Sequence, residues 1–373
     1  MRLDEVGNAA AAKLGKPLDG VRVLAAEQMQ ALPYGTQLLA RLGADVVKVE
    51  HPTEGESGRG AQPAMIDGSG RSAGATFLRN NLNKRSIGID LKHPEGRELF
   101  LSLSKTFDVV AENFKAGTMD RLGLGYDDVS AVAPRVIYLS VSGFGNELPG
   151  YAGPSPYTGW PAYAPVVEAM SGIYEYKRPP GQPPVPAPAG ALGDIGTSLF
   201  GVIGVLAALR HRDATGKGQW VDVAMLDAMV AMTDLVTNFW SMGIREQRAN
   251  LIMDGFEASD GWFILQVGRE HQFKRLAELV GHPEWVDDER FATRSGWVDH
   301  LDDVIRPAVA KWAGDMTKLE ACTALGEAGL AAGPCFSAPE VIADPHVAAH
   351  RMLVELERTD FLPGGDGHPG KGD

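Results

Sequence analysis

Short segments with strand character alternate with segments of helical spacing from residue 21 onwards, and this alternation limits the fold more than any other feature. The apolar runs that predict strands are VRVLAAE (21–27), DVVKVE (45–50), RSIGIDL (85–91), DVVAENF (108–114) and RVIYLSVSGFG (135–145). Helical segments lie between them, as in YGTQLLARLG (34–43) and HPEGRELFLSLSKTF (93–107). The pattern predicts an α/β fold with a Rossmann-like, mainly parallel sheet covered by helices on both faces. Ligands bind beyond the carboxyl ends of such strands, so we expect chemistry in the loops after residues 27, 50, 91 and 113.

The length of the chain, 373 residues, is enough for two domains. The segment 147–190 is rich in proline, glycine and aromatic residues and predicts a shaped loop. A helix is predicted over 195–212, a strand follows in GKGQWVDVAML, and a separate strand signal, GFEASDGWFILQVG, begins at residue 255. We therefore predict a large Rossmann-like domain over 1–225, completed by about 341–373, a linker helix region over 226–254 and a smaller α+β domain over 255–340.

Composition and charge exclude several classes of protein. The formal net charge of −13 disfavours binding to nucleic acid or to an anionic membrane, because both need clustered cations. Two cysteines in a chain of this length rule out a disulfide framework and fit a reducing compartment. The start of the chain lacks the apolar core of a signal peptide, and the apolar runs are too short to span a bilayer. These features predict a cytoplasmic protein that binds neither nucleic acid nor membrane.

Familiar catalytic signatures are absent from the sequence. It contains no HExxH and no P-loop, and VLAAEQMQALPYG stands where a dinucleotide site would have G-x-G-x-x-G. The nine histidines are scattered, and the two cysteines match no zinc spacing. The sequence therefore disfavours a dehydrogenase or a P-loop enzyme and predicts no metal site.

One acidic residue, Asp194, lies between Gly193 and Gly196 at the start of an apolar run, in ALGDIGTSLF (191–200). Aspartate is a preferred N-cap, where its carboxylate accepts backbone N–H bonds and meets the positive end of the helix dipole. The same position suits a nucleophile, because an aspartate with a reference pKa of about 3.9 is already an anion at neutral pH. The N–H groups beside the glycines would then stabilise an oxyanion. Spacing alone leaves both interpretations open.

Several long stretches are similar to one family of enzymes. They are LARLGADVVKVE, NLNKRSIGIDLKHPEGRELF, DVVAENFKAGTMDRLGLGYDD, ALGDIGTSLFGVIGVLAALRHRDATGKGQWVDVAMLDA and GLAAGPCFSAPEVIADP. From about Gly20 to His350 the chain resembles the family III CoA transferases. The resemblance implies that Asp194 attacks a donor acyl-CoA to give an anhydride and then an aspartyl-CoA thioester. It also implies a small carboxylic acid as acceptor and an interlocked homodimer.

The resemblance assigns further residues to the site. It implies that Tyr163 lies near the reacting groups, and that CoA or acyl-CoA, as substrate, contacts the loops after the predicted strands. The residues at the matching positions are Gln30, Ala31, His51, Ile89, Asp90, Leu91, Lys92, Asn113, Phe114, Lys115 and Arg121. His51 stands where the family has an arginine. Trp160, Tyr163, Tyr174 and Tyr176 are candidate walls of the acyl pocket.

Three alternatives remain beside intermolecular transfer. The first is an acyl-CoA racemase or epimerase of the same fold, which needs a histidine where this chain has Tyr163, a poor base at neutral pH. The second is an intramolecular CoA transferase, which moves CoA within one molecule, and nothing in the sequence excludes it. The third is a protein that binds CoA without turnover, which the presence of Asp194 disfavours.

Overall fold

The structure is a computed structural model. It describes residues 13–353, with gaps at 68–69, 71, 149, 151–152, 177, 179, 187–190 and 245–249, and residues 361–362. The chain divides after Gly243 into two compact units, and residues 226–243 belong to the larger one. The finer domain boundaries stay a prediction.

The larger unit contains eight strands and eight helices before Gly243 among the residues described. The strands are β1 (Arg22–Ala26), β2 (Asp45–Glu50), β3 (Ala64–Asp67), β4 (Ser72–Gly74), β5 (Arg85–Gly88), β6 (Val109–Glu112), β7 (Ile137–Ser142) and β8 (Gln219–Ala224). The α-helices are α1 (Pro33–Arg41), α2 (Ala75–Asn80), α3 (Pro94–Ser104), α4 (Thr118–Arg121), α5 (Tyr126–Val132), α6 (Ala164–Met170), α7 (Leu192–Thr215) and α8 (Met225–Ala231). Short 3-10 and π turns lie at Ser57–Gly60 and Leu235–Trp240.

Six of these strands form one sheet in the order β5-β2-β1-β6-β7-β8. Every neighbouring pair is parallel. Counted along the sheet-forming strands only, this is the order 3-2-1-4-5-6 of a doubly wound Rossmann-type sheet, which confirms the predicted mainly parallel α/β fold. The order reverses between β1 and β6, so the loops after these two strands diverge and leave a crevice.

The sheet is buried on both faces because its central strands are almost wholly apolar. Successive side chains of a strand point to opposite faces. Accordingly Val23 and Ala25 of β1 pack with α1 and α7, whereas Leu24 and Ala26 pack with α3 and β7 residues such as Tyr138. Continuous apolar strands of this kind are typical of parallel sheets covered by helices.

Helix α7 crosses one face of this sheet at close range. A Cβ atom at Gly204 would lie 2.6 Å from Val221 Cγ1, and one at Gly201 would lie 3.4 Å from Leu139 Cδ2. The helix has 24 residues, and its most apolar 18-residue window has a mean hydropathy of 1.8, so by length and composition alone it is long and apolar enough to cross a membrane. The expectation that every apolar run is too short for a bilayer is therefore wrong for this helix. Half of its most apolar window is buried in the protein, as in the core helix of a globular domain.

A second, small sheet of the larger unit contains β3 and β4, which pair antiparallel. The smaller unit contains β9 (Ile252–Ala258), β10 (Gly261–Val267) and β11 (Ala331–Pro334), with helices α9 (Glu270–Leu279), α10 (Arg294–Asp299), α11 (Arg306–Ala313), α12 (Lys318–Glu327), α13 (Ala338–Ala343) and α14 (Pro345–Ala349). Short 3-10 and π turns lie at Pro283–Val286, Glu289–Phe291 and Leu301–Ile305. A last short strand, β12 (Phe361–Leu362), pairs antiparallel with β3.

The strand signal predicted from residue 255 is a hairpin of two antiparallel strands, β9 and β10, which β11 extends. Its inward side chains, among them Phe256 and Phe263, join an apolar core. In that core Phe273 stacks on Trp297 with ring centroids 4.5 Å apart. This unit contains both strands and helices, and its description as an α+β domain over 255–340 stays a prediction.

Candidate active site

A cavity of about 380 Å³ lies where the strand order reverses. It is lined by residues 28–31 after β1, 113–116 after β6, 141–144 at the end of β7, Thr158, 160–163, Thr76, Asp194 and Met225. Doubly wound sheets bind their ligands at this switch point, because the two diverging loops leave space there. The loops after residues 27 and 113, two of the four predicted from the sequence, therefore meet at one cavity.

Asp194 reaches this cavity from the first turn of α7. It is the third residue of the helix, whose N-cap is Ala191, and no side chain of the cap residue binds a backbone N–H. The N-cap interpretation of Asp194 is therefore wrong, because the helix begins earlier than the predicted residue 195. The half-buried carboxylate is free of that structural task and borders the cavity.

The carboxyl group of Asp194 has a raised pKa, and burial is the main cause. Burial, and after it the negative charge of Glu168, raise the pKa of Asp194 to about 6. At pH 7 the group is still about nine-tenths ionised. The cavity thus contains an anion that is more basic than an aspartate in water and therefore a better nucleophile.

The two glycines beside Asp194 serve packing. The backbone N–H of Gly193 donates to Glu168 Oε1 at 3.0 Å. A Cβ atom at Gly193 would lie 2.9 Å from Val167 Cγ2 of α6. Gly196 is the fifth residue of the helix, where the backbone N–H bonds to the carbonyl four residues earlier. The expected oxyanion donors at Gly193 and Gly196 are therefore already engaged, and this corrects the expectation from the sequence.

Two other backbone amides of the cavity wall are available. Within the described part of the chain, the N–H groups of Gln30 and Ala31 have no hydrogen-bond acceptor. The amides just before them are occupied: that of Gln28 donates to Asn113 Oδ1 at 2.8 Å, and that of Met29 donates to Glu56 Oε2 at 2.8 Å. The turn after β1 is thus held by side chains while its next two amides stay open.

Asn113 has a structural task that the sequence did not reveal. Its Oδ1 accepts from the Gln28 amide, and its Nδ2 donates to the Gln28 carbonyl at 2.8 Å. The side chain therefore closes a ring with one backbone residue and ties the loop after β6 to the loop after β1. Both of its polar atoms are used in this way, so its side chain positions the cavity wall.

One cation and an aromatic cluster complete the wall. Lys115 is the only cationic side chain among the described residues that line the cavity, and its Nζ donates to the Gly159 carbonyl. Trp160 lies 4.8 Å from Tyr157 and 6.5 Å from Phe144, measured between ring centroids. Tyr163 is the N-cap residue of α6 and is 65% exposed. Of the four predicted wall residues, Trp160 and Tyr163 line the cavity, whereas Tyr174 and Tyr176 do not.

The remaining predicted CoA contacts lie outside this cavity. His51 follows β2, and its Nδ1 accepts from the Glu54 amide at 3.3 Å within a turn. Residues 89–92 follow β5, with Ile89 buried and Lys92 exposed. Arg121, at the end of α4, donates to Thr118 Oγ1 at 2.9 Å. Since β2, β5 and β6 run parallel, the segments after them lie on the same edge of the sheet as the cavity.

Sequence reasoning missed one residue that contacts the Asp194 turn. Glu168 lies on α6, is 1% exposed and accepts the Gly193 amide. The signal was present in the segment APVVEAM, where a glutamate interrupts an otherwise apolar helix, because charged residues in such positions are buried only when they have partners. No group of three or more potential metal-ligating His, Cys, Asp or Glu side chains occurs among the residues that the structure describes.

Comparisons with known proteins show matches over most of the chain. The model of CoA-transferase family III matches residues 18–365. The succinate–glutarate CoA-transferase of Agrobacterium fabrum is 36% identical over 93% of this chain and 88% of its own length. The formyl-CoA:oxalate CoA-transferase of Streptomyces avermitilis is 32% identical over 93% of this chain and 88% of its own length. A crystal structure of a CAIB/BAIF family protein from Brucella suis matches with a TM-score of 0.77 and 35% identity, covering 90% of this chain and 88% of that one.

Proposed function

Because the chain belongs to CoA-transferase family III, we propose that it moves CoA from a donor acyl-CoA to a small carboxylic acid, with Asp194 as the covalent nucleophile. The observation that carries this proposal is the ionised, half-buried carboxylate of Asp194 at the switch-point cavity. An aspartate in this state needs no partner base, because it attacks as the anion.

The reaction consists of two exchanges at one carboxyl group. An oxygen of Asp194 attacks the thioester carbon of the donor, the C–S bond breaks, and a mixed anhydride and a CoA thiolate form. The thiolate then attacks the Asp194 carboxyl carbon, which releases the donor acid and leaves an aspartyl-CoA thioester. The acceptor carboxylate attacks that thioester and displaces the thiolate. Attack of the thiolate on the acceptor carbonyl of the resulting anhydride gives the new acyl-CoA and restores Asp194.

Each attack creates an oxyanion that needs hydrogen-bond donors. The open amides of Gln30 and Ala31 border the same cavity as Asp194 and are the best candidates. Donors of this kind are each worth about 3 kcal/mol in the transition state of comparable enzymes. The hydroxyl of Tyr163, at the same cavity, is a further donor.

The proposed path of CoA runs from the cavity along the carboxyl edge of the sheet. Phe114 and Lys115 border the cavity itself, where the thioester must arrive. The nucleotide part then extends toward the exposed cations Lys92 and Arg121 and the turn at His51, with residues 89–91 between them. Cations at this edge offer phosphate contacts in a chain whose formal net charge is −13. The relatives named above act on succinate, glutarate, formyl-CoA and oxalate, which suggests a short carboxylic acid as acceptor.

Covalent trapping tests this proposal. We expect that incubation with an acyl-CoA followed by hydroxylamine leaves a hydroxamate on Asp194, detected by mass spectrometry of the peptide that contains it. A racemase would instead exchange the α-proton of an acyl-CoA without such an adduct. The described cavity wall contains no histidine, the base that a racemase of this fold needs. Acceptance of CoA by an added free acid separates intermolecular from intramolecular transfer. Absence of the adduct with every donor that the enzyme turns over overturns the proposal.

The rate of transfer should depend on the ionisation of Asp194. Its pKa is raised to about 6, and only the anion attacks, so kcat/KM is expected to fall tenfold per pH unit below that value and to level off above it. The measurement is a pH profile of kcat/KM between pH 4.5 and 8 with a donor whose own groups do not titrate in this range. A plateau that continues down to pH 5 contradicts this prediction.

A homodimer is the proposed assembly, and one face of α7 supports it. Leu199, Ile203 and Leu206 lie at helical spacing on that face and are exposed, Ile203 by 62%. Apolar stripes of this kind usually mark a protein contact. We expect sedimentation to give the mass of two chains and an Ile203→Asp variant to dissociate, whereas Glu257→Lys, an exposed change in the other unit, should not alter the mass. A monomeric wild type at micromolar concentration contradicts this assembly.

A cytoplasmic location is also proposed, in keeping with the free cysteines Cys322 and Cys335.

A further inference from the structure

A buried carboxylate on α6 binds both the first turn of α7 and the segment that follows α6. Glu168 is 1% exposed, and its Oε1 accepts the Gly193 amide at 3.0 Å. Its Oε2 accepts from the hydroxyl of Tyr174. One side chain therefore connects the residue before Asp194 with a turn that is separate in sequence.

The contact replaces a missing helix cap. The first N–H groups of a helix have no partner inside the helix, and a side chain usually satisfies them. Ala191, the N-cap residue of α7, offers no such side chain. The carboxylate of Glu168 satisfies the Gly193 amide instead, and a negative charge at a helix N-terminus is stabilised by the helix dipole. The backbone that carries Asp194 is thus fixed from a neighbouring helix.

Close packing makes this arrangement rigid. The Cβ atom that Gly193 lacks would lie 2.9 Å from Val167 Cγ2 and 3.2 Å from Ala164 Cα. Helix α6 therefore contacts the α7 backbone directly at the point where Glu168 binds it. Because α6 begins immediately after Tyr163, the same helix also sets the position of that cavity residue.

We propose that Glu168 is a positioning residue for CoA transfer, which holds the first turn of α7 through Gly193 and places a second negative charge beside Asp194. The inference rests on the proposed function of Asp194 as nucleophile. Glu168 does not line the cavity and touches no substrate there. Glu168 acts instead on the position and the basicity of Asp194, which does line the cavity.

The charge of Glu168 favours the chemistry in both halves of the reaction. Burial first and then this charge raise the pKa of Asp194, and a more basic carboxylate attacks a thioester faster. Lys115 and Tyr163 are the other titratable side chains on the described cavity wall, and neither contributes to the raised pKa. Glu168 is therefore the charged group whose replacement tests this effect on the pKa of Asp194.

The test is a Glu168→Gln variant, which keeps the size of the side chain and removes its charge. The amide oxygen still accepts from Gly193, while the amide nitrogen donates to the Tyr174 oxygen. We expect the acid limb of the kcat/KM profile to move to lower pH and kcat at pH 7 to fall, with an unchanged KM for the acyl-CoA. Glu175→Gln is the matched control, because Glu175 is exposed near the same turn and pairs with Arg178 at 2.9 Å. That control should leave the pH profile of the wild type.

A second measurement needs no turnover. Carbon NMR of protein labelled at aspartate carboxyl groups, with the Asp194 signal assigned by its loss in Asp194→Asn, gives the ionisation midpoint of Asp194 directly. The proposal requires this midpoint to be lower in Glu168→Gln than in the wild type and in Glu175→Gln. An equal midpoint in all three proteins overturns it, even where Glu168→Gln is less stable. Failure of the proposed function is distinct, because it appears as a missing adduct on Asp194 in the wild type.

Discussion

Replacing Asp194 with asparagine is expected to lower the rate of CoA transfer by at least about 10⁴-fold, a loss typical of enzymes that lose a covalent nucleophile. The amide is neutral at every pH and cannot form the anhydride, so no later step can occur. Because the side chain changes little in size and Asp194 makes no cap hydrogen bond, the fold should persist. The measurement is the initial rate with a donor acyl-CoA and a free acid, together with mass spectrometry for the missing adduct.

Two further variants make this result specific. Asp194→Ala excludes residual activity from slow hydrolysis of an asparagine back to aspartate. Asp213→Asn places the same change on the same helix, at an exposed position near its C-terminus, and should keep the wild-type rate. Calorimetric titration with CoA should give similar affinities for all three proteins and the wild type. If Asp194→Asn retains a tenth of the wild-type rate, the covalent role of Asp194 is wrong.

The strands of the sheet are predictable from the sequence because each depends on a local pattern of apolar residues. Runs such as DVVKVE and DVVAENF are rich in valine, as is typical of strands buried on both faces, and they correspond to β2 and β6. The order of strands was not accessible in this way, because alternation of strand and helix is the same for several doubly wound arrangements. The start of α7 is not predictable from the local sequence either, because Glu168, from elsewhere in the chain, binds the Gly193 amide of its first turn in place of a local cap.

Less of the candidate site is predictable from the sequence, because it depends on contacts between residues that are distant along the chain. The loops after β1 and β6 were expected to meet because parallel strands end on one edge, and Gln30, Ala31 and Asn113 do line one cavity. Which atoms remain free there depends on contacts between residues far apart in sequence. Asn113 is separated from Gln28 by 85 positions, and its use of both polar atoms on that backbone has no local signature. Residue types in a motif therefore indicate a site, but the fold decides which of them are available.

A buried cluster of charged side chains includes Glu27, the residue directly before the turn at residues 28–31 that lines the cavity. The carboxylate of Glu27, the residue that follows β1, accepts from Lys84 Nζ at 2.7 Å and from Thr36 Oγ1 at 2.7 Å. Lys48 Nζ lies 3.6 Å from the same carboxylate, and all three charged side chains are at most 2% exposed. Burial alone would raise the pKa of Glu27, but the charges of Lys84 and Lys48 outweigh it and lower the pKa. Burial lowers the pKa of Lys84 to about 8, which still leaves it protonated at pH 7.

Replacing Glu27 with glutamine is expected to reduce the free energy of unfolding by about 3–5 kcal/mol at pH 7, because it leaves two buried cations without their carboxylate. Urea unfolding, followed by tryptophan fluorescence and circular dichroism, gives the difference. The loss should shrink toward acid pH: the pKa of Glu27 is lowered in the fold, so its contribution is present above the unfolded value of 4.5 and disappears as pH falls through the folded one. Transfer activity should fall with the folded fraction, since Glu27 immediately precedes the turn that lines the cavity.

The same cluster provides its own control for folding. Adding Lys84→Met to Glu27→Gln removes one of the two unpaired cations and is expected to recover part of the lost stability, a non-additive result that only direct coupling produces. Asp45→Asn removes the exposed partner of Arg85 on the neighbouring strand, and solvent screening should make its effect far smaller. Two results would contradict this prediction: Glu27→Gln unfolds at the urea concentration of the wild type, or the double variant is no more stable than the single one. In either case the buried charges do not stabilise the turn after β1, and the side chains of Asn113 and Glu56 alone hold that turn.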